Sequence, residues 1–268
     1  MDAVIEQEAA GGSGAIPFFE AFADEYLAAY TANSLGGYVL RTRRALVLDL
    51  LGQLRGRVLD VGCGPGAMTA EILDAGGEFW GVDGSPRMIA AGRQRFNGFA
   101  RAHFGVADAM ALPFSDAAFD AALCIGVIDR MPRPEAAIAE LGRVLKRGGT
   151  LVISFANLLS PYALWRSHVF YAGIGHAKRL WACFGGDRRG LDLCSAARLW
   201  TPRAARRSVA SLVGEVRGVA YYNYTMLLSP LDELLPGPAL IAARRLERLR
   251  TSPLDWLGAG FLVKAQKG

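Results

Sequence analysis

Residues 58–73, VLDVGCGPGAMTAEIL, place three glycines within five positions, between an apolar run and a helical pattern. Glycine adopts backbone conformations closed to other residues, so a turn of this kind lets the backbone approach a ligand closely. A helix that follows the turn directs its first N–H groups towards the same ligand. We therefore expect a strand, a ligand-binding turn and a helix, with Asp60 at the tip of the strand.

Apolar runs and helical patterns alternate on both sides of this turn, which is typical of βαβ units and a parallel sheet. Further helices are expected after Ser85 and after Thr201, each of which would cap its helix. The predicted strands are 56–61, 78–83, 102–108, 119–126, 150–157, 216–227 and 258–267. The predicted fold class is α/β: a Rossmann-like, doubly wound and mostly parallel seven-stranded sheet, with helices on both faces and an inserted cap.

The pattern of predicted strands and helices divides the chain into four parts. Residues 1–17 are acidic and glycine-rich and are predicted to be loose. Residues 18–156 carry two N-terminal helices and the Rossmann-like core. Residues 157–200 are aromatic and basic without a βα period, so we interpret them as a cap that binds substrate. Residues 201–268 complete the core.

Composition narrows the class of protein. Hydrophobic residues make up 52% of the chain and the net charge is +5, which indicates a folded domain and disfavours a nucleic-acid partner. The start of the chain lacks the pattern of a signal peptide, and no stretch resembles a membrane span. The four cysteines fit no zinc site, so we expect reduced thiols, no metal and a cytoplasmic protein.

The glycines alone leave two kinds of ligand open. GCGPGA satisfies the dinucleotide pattern G-x-G-x-x-A, and Asp83 ends the second strand, where a ribose-binding acid belongs. Asp60 argues against a dinucleotide, because its carboxylate would repel a pyrophosphate and would suit a cationic amino-acid ligand. Asp108, after the third strand, is placed to accept a hydrogen bond from an adenine amino group.

Four motifs give the chain a family resemblance. They are VLDVGCGPG at 58–66, GVDGSPRMI at 81–89, ADAMALPF at 107–114, and LKRGGTLVIS at 145–154, with Arg147 where proline is common. Together they resemble the class I S-adenosylmethionine-dependent methyltransferases, and in particular the type 11 group that includes ubiquinone- and menaquinone-biosynthesis enzymes. The resemblance covers residues 18–156 and the last strand at 260–264.

The resemblance implies S-adenosylmethionine as the cofactor and a set of residues that bind it. The glycines would line its methionine part, Asp60 would orient its ammonium, and Asp83 would accept both ribose hydroxyls. Met88 would pack on the adenine, and Asp108 would bind the adenine amino group. The complete predicted set is Asp60, Gly62, Cys63, Gly64, Gly66, Asp83, Gly84, Met88, Asp108 and Ala109, with Tyr26 and Tyr30 closing over the cofactor.

Methyl transfer from a sulfonium depends mainly on the alignment of the two reactants. A general base can accelerate the reaction further. Asp129 follows the fourth strand, where the acceptor site opens in the resembled fold, and is one candidate base. His168 and His176 in the cap are the others. A helix-cap or ion-pair role for Asp129, and a packing role for the histidines, remain open.

The aromatic residues of the cap favour a lipophilic or aromatic acceptor, such as a quinone, a polyketide or a lipid-linked compound. Two alternatives stay open: a methyltransferase for a sugar or another polar metabolite, and a non-catalytic cofactor-binding module of the same fold. The basic and aromatic cap also suggests contact with the surface of a membrane. We expect a monomer or a homodimer.

Overall fold

The computed structural model describes residues 28, 30, 32–53, 56–165, 198–225 and 234–268. This part of the chain forms an eight-stranded sheet in the order β3-β2-β1-β4-β5-β8-β7, with the short β6 beside β5. The strands are β1 (Arg57–Val61), β2 (Glu78–Asp83), β3 (Ala102–Val106), β4 (Phe119–Cys124), β5 (Leu145–Asn157), β6 (Leu199–Trp200), β7 (Gly214–Tyr222) and β8 (Gly260–Lys267). Only β8 runs antiparallel to its neighbours, β5 and β7.

Helices cover both faces of the sheet. They are α1 (Leu35–Leu51), α2 (Thr69–Asp74), α3 (Pro86–Arg95), α4 (Pro134–Val144), α5 (Pro161–Leu164), α6 (Pro202–Leu212) and α7 (Pro236–Leu246). Two predicted caps are confirmed. The Ser85 hydroxyl accepts a hydrogen bond from the third residue of α3 at 3.3 Å, and the Thr201 hydroxyl does the same for α6 at 3.2 Å.

The hydrophobic core lies in two layers, one on each face. Val58 of β1 packs in the layer with Val47 of α1, whereas its neighbour Leu59 packs in the layer with Ile138 of α4. Because successive strand residues point to opposite faces, a sheet covered on both sides needs continuous apolar runs. The predicted Rossmann-like architecture, doubly wound and mostly parallel, is confirmed.

The predicted number of strands is wrong by one. The eighth strand, β6, pairs in parallel with the last two residues of β5 and is itself two residues long. A segment of this length carries no periodic pattern, so its sequence could not reveal it. The end of α4 also differs: the helix stops at Val144 and β5 begins at once, whereas the sequence predicted a helix as far as residue 149.

The four-part division of the chain stays a prediction. Residues 1–17 and most of 157–200 lie outside the described ranges. Among the residues that are described, no helix is both long enough and apolar enough to cross a bilayer.

Candidate active site

The strand order reverses between β1 and β4, and ligands of open α/β sheets bind at such a switch point, beyond the carboxyl ends of the strands. Asp60, the fourth residue of β1, lies at this point and pairs in register with Leu123 of β4. The glycine turn follows β1, and a loop that begins with Ile125 follows β4. The predicted ligand turn is therefore at the position where this fold binds ligands.

The glycine turn requires glycine for two separate reasons. Gly62, Gly64 and Gly66 have φ values of +77°, +54° and +79°, which L side chains rarely adopt. A Cβ on Gly62 would also lie 2.1 Å from Cγ2 of Val127, in the loop after β4. The Gly62 N–H donates to the carbonyl of Val82 at 2.7 Å, which holds the turn against the end of β2.

Asp60 is a buried carboxyl with an unusual pKa. The residue is 3% exposed, and burial together with the charge of Asp83 raises its pKa to about 7. The Arg43 guanidinium acts in the opposite direction and offsets part of this rise. A cation brought beside Asp60 would favour the ionised form, so the site suits a positively charged ligand.

Asp83 shapes the turn and keeps capacity for a ligand. One carboxylate oxygen accepts from the Gly64 N–H and the other from the Ser85 N–H, both at 2.9 Å. Burial raises its pKa, and hydrogen bonds from Ser85, Gly64 and Gly84 offset part of the rise. A carboxylate has about four lone-pair sites, so about one remains for a hydroxyl donor.

The turn after β3 lies beside Asp83. The Ala107 N–H donates to the Asp83 carbonyl at 3.1 Å, which brings Asp108 and the buried Ala109 to the same edge of the sheet. One oxygen of Asp108 accepts from the N–H two residues on at 2.9 Å, so this side chain is fixed by its own turn. Met88, 2% exposed, lies in the first turn of α3, directly after the Asp83 loop.

A pocket opens over Asp60, between the glycine turn and the N-terminal part of the chain. The turn contributes Asp60, Gly62 and Cys63, and the other wall includes Tyr30. Arg44 lies over the Tyr30 ring, with 5.7 Å between the guanidinium carbon and the ring centroid. The prediction that Tyr30 closes over the cofactor therefore has geometric support, whereas Tyr26 lies outside the described ranges.

Two arginines of this pocket, Arg43 and Arg44, were not among the predicted site residues. A signal was present: Arg43 precedes the buried Val47 by four residues and the buried Leu51 by eight, so it lies on the inward face of α1. A charged residue on such a face commonly has a buried partner.

Asp129 lies in a one-turn 3₁₀ helix after β4, beyond the carboxyl end of that strand. Its Oδ2 accepts from the Ala156 N–H at 2.9 Å, and its carbonyl accepts from the Arg198 N–H at 2.8 Å. Its Oδ1 is buried and finds no partner within the described structure. Burial raises the pKa of Asp129 to about 7. The other two candidate bases, His168 and His176, lie outside the described ranges.

We expect the ligand-free protein to become less stable as the pH rises from about 4 to about 7. Asp60 and Asp129 have pKa values of about 7 in the folded chain and ordinary values of 3.8 when unfolded. The folded state therefore binds more protons across this window, and its stability falls with pH. Thermal unfolding should give a Tm about 10 °C lower at pH 8 than at pH 5.5. Changing both residues to Asn should flatten this dependence, and a Tm that rises towards pH 8 would contradict it.

The pocket fits S-adenosylmethionine, the cofactor that the family resemblance implies. Asp60 offers a buried carboxyl for a cation, and Asp83 keeps a lone pair for a ribose hydroxyl. The turn at Gly62 leaves no room for a Cβ because Val127 packs against it, which holds the glycine turn close to the loop after β4. A dinucleotide fits less well, because its pyrophosphate would meet the carboxyl of Asp60.

Comparison with known proteins points to the same family. A family model described as methyltransferase domain matches residues 59–153, from β1 into β5. An uncharacterized methyltransferase of Mycobacteroides abscessus is 35% identical over 151 residues, which are 53% of this chain and 54% of the relative. A demethylmenaquinone methyltransferase of Renibacterium salmoninarum is 38% identical over 115 residues, which are 42% and 47%. The chain thus spans about half the length of the curated relatives it matches.

A solved structure agrees on the fold. Geranyl diphosphate C-methyltransferase from Streptomyces coelicolor A3(2), in complex with Mg2+, geranyl diphosphate and S-adenosyl-L-homocysteine, superposes with a TM-score of 0.54. The match covers 87% of this chain and 80% of that chain at 15% identity, which shows a common fold. Sheet order, glycine turn and family match thus agree that residues 59–153 form a methyltransferase domain, and the described chain has the Rossmann-like fold of S-adenosylmethionine-dependent methyltransferases.

Proposed function

We propose that this protein transfers the methyl group of S-adenosylmethionine to a lipophilic or aromatic small molecule. The observation that carries this proposal is an apolar rim at the carboxyl edge of β5, formed by Leu159, Leu254 and Trp256. Their side chains are 45%, 46% and 40% exposed. Exposed apolar groups beside a ligand site favour a ligand that covers them.

Asn157, the last residue of β5, holds the apolar rim at the sheet edge that carries Asp60. Its side-chain amide donates to the carbonyls of Trp256 at 2.7 Å and Gly258 at 2.8 Å. Its Oδ1 accepts from the Leu159 N–H at 3.0 Å. One buried side chain therefore joins the segment after β5 to the segment before β8. Both segments lie at the sheet edge that carries Asp60, because the carboxyl ends of parallel strands meet there.

The residues of this chain would align the reactants and handle a proton. When bound, S-adenosylmethionine supplies a methyl group that its sulfonium already activates. Holding an acceptor in line with it can lower the barrier by ~7–11 kcal/mol. Asp129 has a buried oxygen without a partner in the described chain and a pKa of about 7, as a general base for a hydroxyl acceptor requires. His168 and His176 stay candidates for the same role.

Two similar proteins support the choice of acceptor class. Their names give demethylmenaquinone and geranyl diphosphate as acceptors, and both compounds carry an apolar isoprenoid chain. A polar acceptor and a non-catalytic binding role remain the alternatives. The predicted membrane contact rests on residues 157–200, most of which lie outside the described ranges, and it stays a prediction with the oligomeric state.

The proposed function is tested by transfer of labelled methyl from S-adenosylmethionine to two panels of acceptors. One panel holds isoprenoid hydroquinones and phenols, and the other holds sugars and small amines. We expect label in the first panel only. Label confined to the second would establish the polar alternative. Binding of S-adenosylhomocysteine without transfer to either panel would favour the binding module.

Replacing Trp256 by serine is expected to raise the KM for the labelled acceptor about tenfold, because the rim loses its largest apolar surface. The affinity for S-adenosylhomocysteine should not change. Phe99→Ser is the matched control: this side chain is 56% exposed but follows α3, away from the rim. Equal KM changes in the two variants would show that the rim does not bind the acceptor.

A further inference from the structure

Arg43 is the residue of α1 that reaches both halves of the site. It lines the pocket that contains Asp60, on the cofactor side. On the acceptor side its guanidinium packs against the backbone of Gly126, in the loop after β4. A Cβ built on Gly126 would lie 3.0 Å from Nη1 of Arg43, and the φ of this glycine is +77°. The guanidinium therefore occupies the space that any other side chain at residue 126 would need.

A chain of hydrogen bonds through Tyr222 and Ser154 anchors Arg43 on the acceptor side. The hydroxyl of Tyr222, a buried residue at the end of β7, is hydrogen-bonded to both Arg43 and Ser154. The Ser154 hydroxyl in turn accepts from the Gly126 N–H at 2.7 Å. Arg43, Tyr222, Ser154 and Gly126 thus form one cluster built from α1, β7, β5 and the loop after β4.

The position of Arg43 in this cluster matters because Arg43 is one of the charged groups that surround Asp60. Asp83 faces Asp60 from β2 and Arg43 faces it from α1. The thiols of Cys63 and Cys124 are also near, but burial raises their pKa, so they stay neutral. Arg43 is therefore the positive group that acts on Asp60 among the residues that the structure describes.

We propose that Arg43 is a positioning residue, which holds the buried Asp60 ready for a cationic ligand while Tyr222 and Gly126 fix its guanidinium on the acceptor side. Asp60 binds the cofactor ammonium as a carboxylate, so whatever favours its ionised form tightens cofactor binding. Arg43 thereby links the arrangement of the acceptor side to the affinity for the cofactor.

The test is calorimetric titration with S-adenosylhomocysteine at several pH values from 6 to 8.5, on the wild type and Arg43→Gln. Loss of the guanidinium leaves Asp83 unopposed, and we expect the pKa of Asp60 to rise by about one unit. Taken with the wild-type pKa of about 7, that rise weakens binding about ninefold at pH 6 and about fivefold at pH 7, with near-equal affinity at pH 8.5. A loss of the same factor at every pH would overturn the proposal.

Three further variants test whether the effect on binding is specific to the Arg43 guanidinium and its anchor. Arg44 lines the same pocket but is paired with Glu71 at 2.8 Å, so Arg44→Gln should leave the pH dependence of binding unchanged. Arg43→Lys keeps the charge and should restore the wild-type profile. Tyr222→Phe removes the anchor and should give a smaller loss with the same pH trend. A pH-dependent loss in Arg44→Gln, or a wild-type profile in Tyr222→Phe, would also overturn the proposal.

Discussion

Gly62→Ala should lower the affinity for S-adenosylhomocysteine by at least about 100-fold. Its Cβ would stand 2.1 Å from Cγ2 of Val127, which real contacts do not allow, and the φ of +77° adds strain of about 1–3 kcal/mol. The turn can relieve both only by moving, and its N–H groups would then leave the position that the ligand uses. Calorimetric titration at pH 8, where Asp60 is ionised, measures the loss.

Gly98→Ala separates the effect of backbone strain from the effect of a clash between the new Cβ and a neighbouring side chain. Gly98 has a φ of +86°, but a Cβ there would meet nothing within 4 Å. We expect this variant to lose about 1–2 kcal/mol of stability and to bind S-adenosylhomocysteine as the wild type does. Wild-type affinity in Gly62→Ala would mean that the turn is not needed for close approach to a ligand.

Asp83→Ala should remove the stabilisation that S-adenosylhomocysteine gives to the wild type. At 100 times its Kd a ligand adds ~2.7 kcal/mol, which for a chain of this length raises the Tm by about 5–10 °C. Without Asp83 the Gly64 N–H and the Ser85 N–H lose their acceptor, and a ribose hydroxyl loses its own. Thermal unfolding with and without the ligand measures the difference.

Asp120→Asn is the control for a general loss of stability. Asp120 lies at the amino edge of the sheet, where it accepts from the Arg57 N–H at 2.8 Å and from Nζ of Lys146 at 2.7 Å. This variant should melt earlier than the wild type and still gain the full rise in Tm from the ligand. NADH serves as the control ligand, and a rise in Tm with NADH alone would contradict the choice of cofactor.

The cofactor half of the site was predictable because its parts are local in sequence. Asp60 and the glycines lie at the end of one strand and Asp83 ends the next, and the parallel sheet brings these strand ends together. The position of each of these residues could be predicted from the end of its own strand alone. The geometry now supports these positions, and their roles await the variants above.

The acceptor half was not predictable in the same way. Arg43, Ser154 and Tyr222 come from three elements that are far apart in sequence, and no motif connects them. Their hydrogen bonds depend on packing across the sheet, which a one-dimensional pattern does not contain. Asp129 was found from its place after β4, but the hydrogen bond from Ala156 and the unpartnered oxygen could not be foreseen.

The pairing of β6 with the end of β5 has a consequence for how such a protein can change its substrate. Asn157 lies opposite Trp200, and the Leu158 N–H donates to the Trp200 carbonyl at 2.9 Å. The chain therefore leaves the sheet and returns to it at neighbouring points, whatever the length of the intervening segment. Closing a loop of twice the length costs only ~0.6 kcal/mol more. Segments between these two points can be lengthened, shortened or exchanged with little effect on the sheet, so variation in the predicted substrate-binding cap leaves the glycine turn and Asp60 intact.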